Sequence, residues 1–419
     1  MEKETINKSD VETKPGFNYG YIIVALSFIA MVAAMGIRGT FGTYVTGWEE
    51  TFSVNRVWVS VVSFTSLLVY GISVVFSGRL SDNIGPRKVL TYSMILLGIC
   101  LMGSYFSTNI LHMLLLYGLI GSVGFGFASN VTVSVAIVRW FKEKKGFMIS
   151  IVVVGMAAGP MIFGPLNLYL IEQIGWKWMF VIYGILYTIL FLPLFYFFYR
   201  DYPDRDKAAE FTEINRGNEQ NEAVLSVFSI FRFPITWVIC GTYIICGFTD
   251  IGLINTHWIP LGENRGYSSS ILGNALFLYG TSNISGTIII GYITDKFSNN
   301  KVLSILFMMR ISALIFLIFL DHPIWLFLFS LLYGFTDIAS IAPYTMLCSK
   351  IFGEKQIGSA FGLISFFHQF GAALGSLVPG LLFNMSLNYQ STLWLCTGLL
   401  FINALVILLV KEKRIPTKS

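Results

Sequence analysis

Gly78-Arg79-Leu80-Ser81-Asp82-Asn83-Ile84-Gly85-Pro86-Arg87-Lys88-Val89-Leu90 is a short charged turn between two long apolar runs. It returns as Gly291-Tyr292-Ile293-Thr294-Asp295-Lys296-Phe297-Ser298-Asn299-Asn300-Lys301-Val302-Leu303. Gly, Asp, Lys, Val and Leu recur at the same offsets, and Leu/Ile and Ser/Thr exchange conservatively. Each copy follows the second apolar run of its half, so the chain reads as two related halves.

The runs on either side explain why a charged turn stands out. Of 419 residues, 55% are hydrophobic and only 12% charged, where a soluble domain keeps about 25% charged to wet its surface. Mean hydropathy is +0.70, and apolar runs of about 20 residues are each long enough to cross a bilayer. Aromatics at 16% also suit packed membrane helices. The composition therefore predicts an all-α integral membrane protein. The residues Met1 to Gly16 are polar and lack the short apolar core of a signal peptide, so the first span is expected to stay attached. All five cysteines lie inside apolar runs, in no metal-ligand spacing.

Twelve spans are expected: Tyr19–Tyr44, Trp58–Ser77, Lys88–Phe106, Ile110–Val138, Gly146–Ile171, Trp176–Tyr199, Pro234–Pro260, Ser270–Thr294, Lys301–Leu320, Pro323–Lys350, Gln356–Phe383 and Tyr389–Val410. The domains follow as a tail (1–18), a six-helix bundle (19–199), a polar linker (200–231), a second bundle (232–410) and a short tail (411–419). Orientation follows from lysine and arginine. With the N-terminus in the cytoplasm, 23 of the 28 fall in cytoplasmic segments. The outer loops keep Arg56, Lys177 and Arg265, while Arg38 and Arg310 fall inside spans. Both termini are thus expected inside the cell. Net charge of +5 then reports topology, and no nucleic-acid partner is expected.

The halves echo again in Gly155-Met156-Ala157-Ala158-Gly159 and Gly371-Ala372-Ala373-Leu374-Gly375. Glycines four apart let helix backbones approach closely, so both stretches read as packing seams. Pro160, Pro165, Pro343 and Pro379 are expected to kink their helices.

The segment from Gly78 to Leu90 resembles the loop signature of the major facilitator superfamily between helices two and three. Twelve spans, a central linker and the echo before helix nine extend the resemblance over essentially the whole chain. It implies two six-helix bundles related by pseudo-twofold symmetry, with substrate near the midplane between them. Transport would proceed by rocking of the bundles. Gly78, Asp82, Arg87 and Asp295 are then the candidate gating residues, Gly78 letting the turn lie tight while Asp82, Arg87 and Lys88 lock helix ends.

A narrower likeness is to the monocarboxylate transporters and the related oxalate–formate antiporter. Tyr19-Gly20-Tyr21 resembles a degraded form of the first family's opening motif, and Arg139-Trp140-Phe141-Lys142-Glu143-Lys144-Lys145-Gly146 its aromatic-then-basic entry to helix five. Arg38 falls close to a helix-one cation of that family, and His368 near a helix-eleven lysine of the antiporter. Helix eight departs: Thr287 stands where both families place an arginine, and Asn283 where an aspartate is common. The family's anion-clamping pair in helix eight is missing.

A charge at mid-bilayer costs about 2.5–3.5 kcal/mol, so Arg38, Asp250 and Asp337 facing lipid would cost roughly 8–10 kcal/mol together. They are expected to face the protein interior or water. Asp250 sits in Gly247-Phe248-Thr249-Asp250-Ile251 and Asp337 in Gly334-Phe335-Thr336-Asp337-Ile338, the same pentapeptide in helices seven and ten. Arg38 has the planar fork that suits a carboxylate, and could also pair with Asp250 as an outer gate. Asp250 and Asp337 are the proton-coupling candidates. Arg38, Asn130, Asn255, Asn283 and His368 are the substrate-binding candidates, with His368 an anion or hydrogen-bond partner according to its protonation. Arg310 is expected to be peripheral.

The function expected from these residues is secondary transport of a small organic anion, a monocarboxylate or related carboxylate, by a monomer that uses a proton gradient and no cofactor. Efflux of amphipathic or cationic compounds is the alternative. An enzyme is not expected, since no nucleotide loop, metal cluster or elbow serine is present in the sequence.

Overall fold

In the computed structural model the described residues are 19–141, 145–202, 231–294, 296–319, 321–352 and 357–412. The terminal tail, most of the expected linker and Asp295 lie outside them. Helices α1 (Gly20–Arg38), α2 (Arg56–Ile84), α3 (Pro86–Phe106) and α4 (Ile110–Trp140) come first. The next helical stretch, Phe147–Phe198, changes direction at Gly175, whose φ of 77° is open to glycine and strained for other residues. It therefore makes two spans, α5 (147–174) and α6 (176–198). There follow α7 (Pro234–Asn264), α8 (Ser269–Thr294), α9 (Asn299–Ile318), α10 (Pro323–Phe352), α11 (Ile364–Ser386) and α12 (Gln390–Leu409). Twelve spans return Tyr19 and Glu412 to one face of the protein, called here the terminal face, opposite the far face.

The core divides as the sequence does. One buried apolar cluster is drawn from residues between Ile23 and Tyr199. The other runs from Ile239 to Val410, with Leu168 added from the first half. Outside these cores Phe76, Phe106, Ile189, Phe197 and Leu409 are among many exposed large apolar side chains. Such a belt is stable only against lipid. This is a multi-pass membrane protein.

The two glycine runs are packing seams, and they correspond. Gly155 faces Phe28 and Met31, and Gly159 faces Val32 and Gly36, which draws α5 onto α1. Gly371 lies against the Ile244 carbonyl and Gly375 against that of Phe248, which draws α11 onto α7. Between the halves, α2 packs along α11 and α5 along α8.

The repeated stretch folds differently from a loop. Helix α2 continues through Ile84 and α3 starts at Pro86, so the charged residues decorate two helix ends around one residue. The tight turn is made by Gly85 at φ 90°, and Pro86 suits a first helical position because its missing N–H needs no partner there. Gly78 is helical and packs toward Val131 of α4, so it does not make the turn.

Candidate functional site

Both copies of the repeated pentapeptide fall where a helix departs from α geometry. In α7 the residues Phe248–Ile254 are π-helical, a distortion found often at functional sites. In α10 the helix ends at Thr336, Asp337 turns away with ψ −81°, and one tight turn Ile338–Ser340 restarts it. Such breaks leave backbone carbonyls without helical partners, which is tolerated at membrane depth only where protein supplies new ones.

Arg310 supplies them. Sequence reading expected this residue at the periphery, but it is fully buried on α9. One guanidinium nitrogen donates to the carbonyl oxygens of Thr336 at 2.9 Å and Asp337 at 2.8 Å, and to Ser340 Oγ at 3.1 Å. The other lies 3.2 Å from Cys246 Sγ and 3.6 Å from Asp250 Oδ2. Asp250 is buried, with His368 Nε2 3.3 Å from the same oxygen. His368 in turn packs its ring on Tyr243 at 4.4 Å. Asp337 presents its carboxylate to Asn283, whose amide donates to Oδ2 at 3.0 Å, while Asn283 Oδ1 accepts from the Ile338 N–H at 3.3 Å.

Asp250, Asp337, Asn255, Asn283 and His368 line one cavity, and Arg38 faces them from α1 with Thr40, Thr43 and Pro160 on the same wall. The cavity is partly open to solvent and lies between the two halves. Arg38 is 8% exposed. Its guanidinium stacks 3.7 Å over Tyr70 and donates to Gln369 Oε1 at 3.3 Å, while Nε has no partner. Among the described residues no carboxylate lies within ion-pair distance of it, so the expected pairing with Asp250 is absent. Asn130 is the one substrate-binding candidate outside the lining: it is exposed, just past a break in α4 at Ala128 and Ser129. Cys246, Asp250 and His368 bring ligand atoms within 4.8 Å of one another. The Arg310 guanidinium already occupies their charge, and no metal centre is assigned.

The gating candidates have partners within their own half. Asp82 is 3.6 Å from an Arg139 guanidinium nitrogen, which also donates to the Ser81 carbonyl at 3.1 Å. The Arg87 N–H donates to Asp201 Oδ1 at 2.8 Å, and Arg87 Nε to the Tyr196 carbonyl at 2.8 Å. Burial pushes the Asp201 carboxyl up, against the opposing pull of the Arg87 N–H and of Arg139. The second half repeats this: Glu412 Oε1 accepts from the Asn300 N–H at 3.0 Å and Oε2 from Lys350 Nζ at 2.8 Å. Burial alone would raise Glu412, but Lys350 and the N–H donors hold its carboxyl below the usual range. Asp201 and Glu412 each follow the last helix of a half, a signal in the sequence that went unused.

On the far face a further set joins the halves. Arg56, expected in an outer loop, is buried and grips Glu49 with Nε at 2.7 Å and NH2 at 2.6 Å. Its NH1 donates to the Tyr389 hydroxyl at 2.8 Å, and its guanidinium lies 4.4 Å over Phe383. Tyr389 also meets His257 Nδ1 at 3.1 Å, and His257 Nε2 donates to the Ser376 carbonyl at 2.7 Å. Nearby Thr46 donates to Glu263 at 2.5 Å and Ser63 meets Thr256 at 3.1 Å.

The comparisons agree with this architecture. The family model described as Major Facilitator Superfamily matches residues 26–349, and again residues 242–419. The chain belongs to the major facilitator superfamily: it is a membrane transporter, and not an enzyme. An uncharacterized MFS-type transporter, YcxA of Bacillus subtilis, is 25% identical over 94% of this chain and 96% of its own. Monocarboxylate transporter 12-B of Danio rerio is 22% identical over 91% of this chain and 84% of its own. Among solved structures a D-xylose–proton symporter superposes with a TM-score of 0.76 at 16% identity, covering 95% of this chain and all of its own. The inward-open xylose transporter XylE of E. coli gives 0.73 at 17% identity, covering 93% of this chain and 96% of its own.

Proposed function

We propose that this transporter carries a small organic anion, a monocarboxylate or related carboxylate, by alternating access coupled to a proton gradient. The observation that carries the reading is Arg38: a buried, fixed cation on the cavity wall, held by an aromatic face and a neutral amide. A desolvated guanidinium without a counter-ion is a ready partner for a carboxylate, which would offer two acceptors to its fork. Gln369, bonded to it from the opposite half, is the group a substrate carboxylate would displace or join. The helix-eight arginine of the monocarboxylate relatives is absent at Thr287, so here the anion would rely on Arg38 and on His368 across the cavity. His368 would contribute charge only when released from Asp250.

Proton coupling draws support from the two acids of the repeated pentapeptide. Asp337 faces the cavity with an amide as its side-chain partner, a setting in which a carboxyl can exchange a proton as the cavity changes access. No cofactor enters this scheme; the proton gradient supplies the energy. In this reading the protein works as a monomer in the cell membrane. The lysine and arginine bias supports a cytoplasmic terminal face. The contacts named between the halves lie from the midplane to the far face, which suits an inward-facing state. Asp82, Arg87 and Gly78 would act as gating elements by stiffening the terminal ends of α2, α3 and α4.

Uptake of labelled lactate, pyruvate and several aromatic and dicarboxylic acids into proteoliposomes, with and without an inward proton gradient, tests the reading. Gradient-driven accumulation of one of them is expected. Silence across the panel from folded protein would favour the alternative, proton-driven efflux of amphipathic or cationic compounds. That alternative would use the Asp337 carboxylate and the aromatic wall of Trp258 and Tyr279.

A further inference from the structure

The sequence repeats one pentapeptide around two acids, and the fold gives those acids unlike surroundings. We infer that Arg310 is the positioning residue that makes them unequal, fixing Asp250 as a permanent anion and leaving the Asp337 carboxyl to take up and release the proton. The inference deepens the proton-coupled reading and rests on it for its role in transport.

The two terminal nitrogens of the guanidinium face opposite ways while Nε–H has no partner, and what each terminal nitrogen meets decides the outcome. The nitrogen nearer α10 is spent on the Thr336 and Asp337 carbonyls and the Ser340 hydroxyl. These are the acceptors that the break in α10 exposes. That assignment turns the other nitrogen toward α7, where it meets Cys246 Sγ at 3.2 Å and Asp250 Oδ2 at 3.6 Å. Asp250 gains further support from His368 at 3.3 Å and from the Ile251 N–H at 2.5 Å. A buried carboxylate with a fixed cation and two more N–H groups beside it stays ionised.

Asp337 receives the opposite treatment. Arg310 binds its backbone oxygen, and the side chain is left to neutral groups, the Asn283 amide at 3.0 Å with the Tyr279 hydroxyl beside it. The titratable or charged groups facing it are Asp250 from α7, Tyr279 from α8, Arg310 from α9 and His368 from α11. Of these, Arg310 and His368 are already engaged by Asp250, whose own negative charge disfavours a second anion nearby. Both acids line the cavity and Arg310 does not, so a proton can reach either one and their unlike partners decide which exchanges it. A fork was needed for this division. A lysine at 310 would offer a point charge to one side of the gap, either the broken helix or Asp250.

Infrared difference spectroscopy of the purified protein in lipid tests this without any substrate, by following the carbonyl band of buried protonated carboxyls as pH is varied. In the native chain a titrating band is expected that is lost in Asp337→Asn and kept in Asp250→Asn, while the contributions of the half-buried carboxyls Asp201 and Glu263 stay the same in both variants. Arg310→Gln should add a further band that disappears again in the Arg310→Gln/Asp250→Asn double variant. Arg310→Lys, which keeps the charge and guards against a misfolded Gln variant, should shift the pH at which the Asp337 band titrates. Loss of the Asp337 band in Asp250→Asn would overturn the inference. So would the absence of a titrating band that Asp337→Asn removes, or Arg310→Lys and Arg310→Gln titrating as the native chain does. The transport reading fails separately, if the native protein in proteoliposomes moves no organic acid under a proton gradient.

Discussion

Tyr389→Phe should unlock the far face. In the native chain the Tyr389 hydroxyl accepts from Arg56 NH1 at 2.8 Å across the divide between the halves, and sits 3.1 Å from His257 Nδ1. Tyr389 is 5% exposed and its ring packs on Phe383 at 4.8 Å, so phenylalanine keeps the shape and removes only the hydroxyl. A hydrogen bond to a charged group contributes about 1.5–3 kcal/mol, and stranding the buried Arg56 donor adds to the loss. When the far face opens, water can solvate both groups, so the cost falls on the closed state alone. At about 1.4 kcal/mol per tenfold, the open fraction should rise roughly ten- to a hundredfold. Ser60→Cys reports this: Ser60 is 1% exposed and packs against Gly380 of α11, so a thiol there becomes reachable only as α11 leaves α2. The five native cysteines are buried and give a low background. Labelling by a polar maleimide in nanodiscs should quicken about tenfold or more in Tyr389→Phe over its parent. A change of less than twofold would mean that the Arg56–Tyr389 contact does not hold the halves together.

Three further outcomes follow from the same geometry. Arg38→Gln should lower uptake of the carried anion about a hundredfold, the loss of one charge-assisted contact of about 3 kcal/mol, with melting of the purified protein unchanged; native kinetics in the variant would remove Arg38 from the site. Gly371→Val should abolish folded protein on size-exclusion chromatography, because a Cβ there falls on the Ile244 carbonyl oxygen, whereas Ala at Gly241, which has open space around it, should be silent. Glu412 has its folded carboxyl held below the ordinary 4.5, so its tie to Asn300 and Lys350 stabilises above that pH and is lost as pH falls through the lowered value; Glu412→Gln should flatten the melting temperature over that acidic window and leave its slope near neutrality unchanged.

Much of this architecture was legible because it repeats. The echoed charged stretch, the paired glycine runs and the doubled pentapeptide each located the same feature in both halves, and the spans followed from length and hydropathy. What repetition could not show was direction. Arg310 sits in a helix whose apolar residues surround it on every side, so no periodic face told whether it pointed to lipid or inward. Its partners lie on α7 and α10, far off in sequence. Arg56 escaped for the opposite reason: it follows a short loop, where a basic residue is unremarkable, yet the fold brings Phe383 and Tyr389 over it. A charged run in sequence suggests a loop with Gly78 at its turn, but α2 and α3 carry all of it except Gly85, and the turn is made there.

The arrangement of tight and loose contacts bears on how such a molecule would move. Within each half the glycine seams bring backbones so close that a single added carbon overlaps a neighbouring carbonyl or side chain, at Gly155 and Gly159 as at Gly371 and Gly375. Contacts of that kind shear poorly, so each half behaves as a block. Between the halves the far-face links are chiefly side-chain hydrogen bonds, each of which water can replace at about 0.5–3 kcal/mol without moving a backbone. Motion would therefore concentrate at the divide, where Arg38 of one block meets Gln369 of the other across the cavity. A carboxylate bound to Arg38 would neutralise the cation that the first half brings to this boundary. The second half meanwhile keeps its own charges in balance through Arg310. Substrate and proton would thus act on separate blocks, one on Arg38 and the other on Asp337, and each would alter what the two faces of the divide present to one another. Coupling between them needs no long pathway, because both sites border the same cavity.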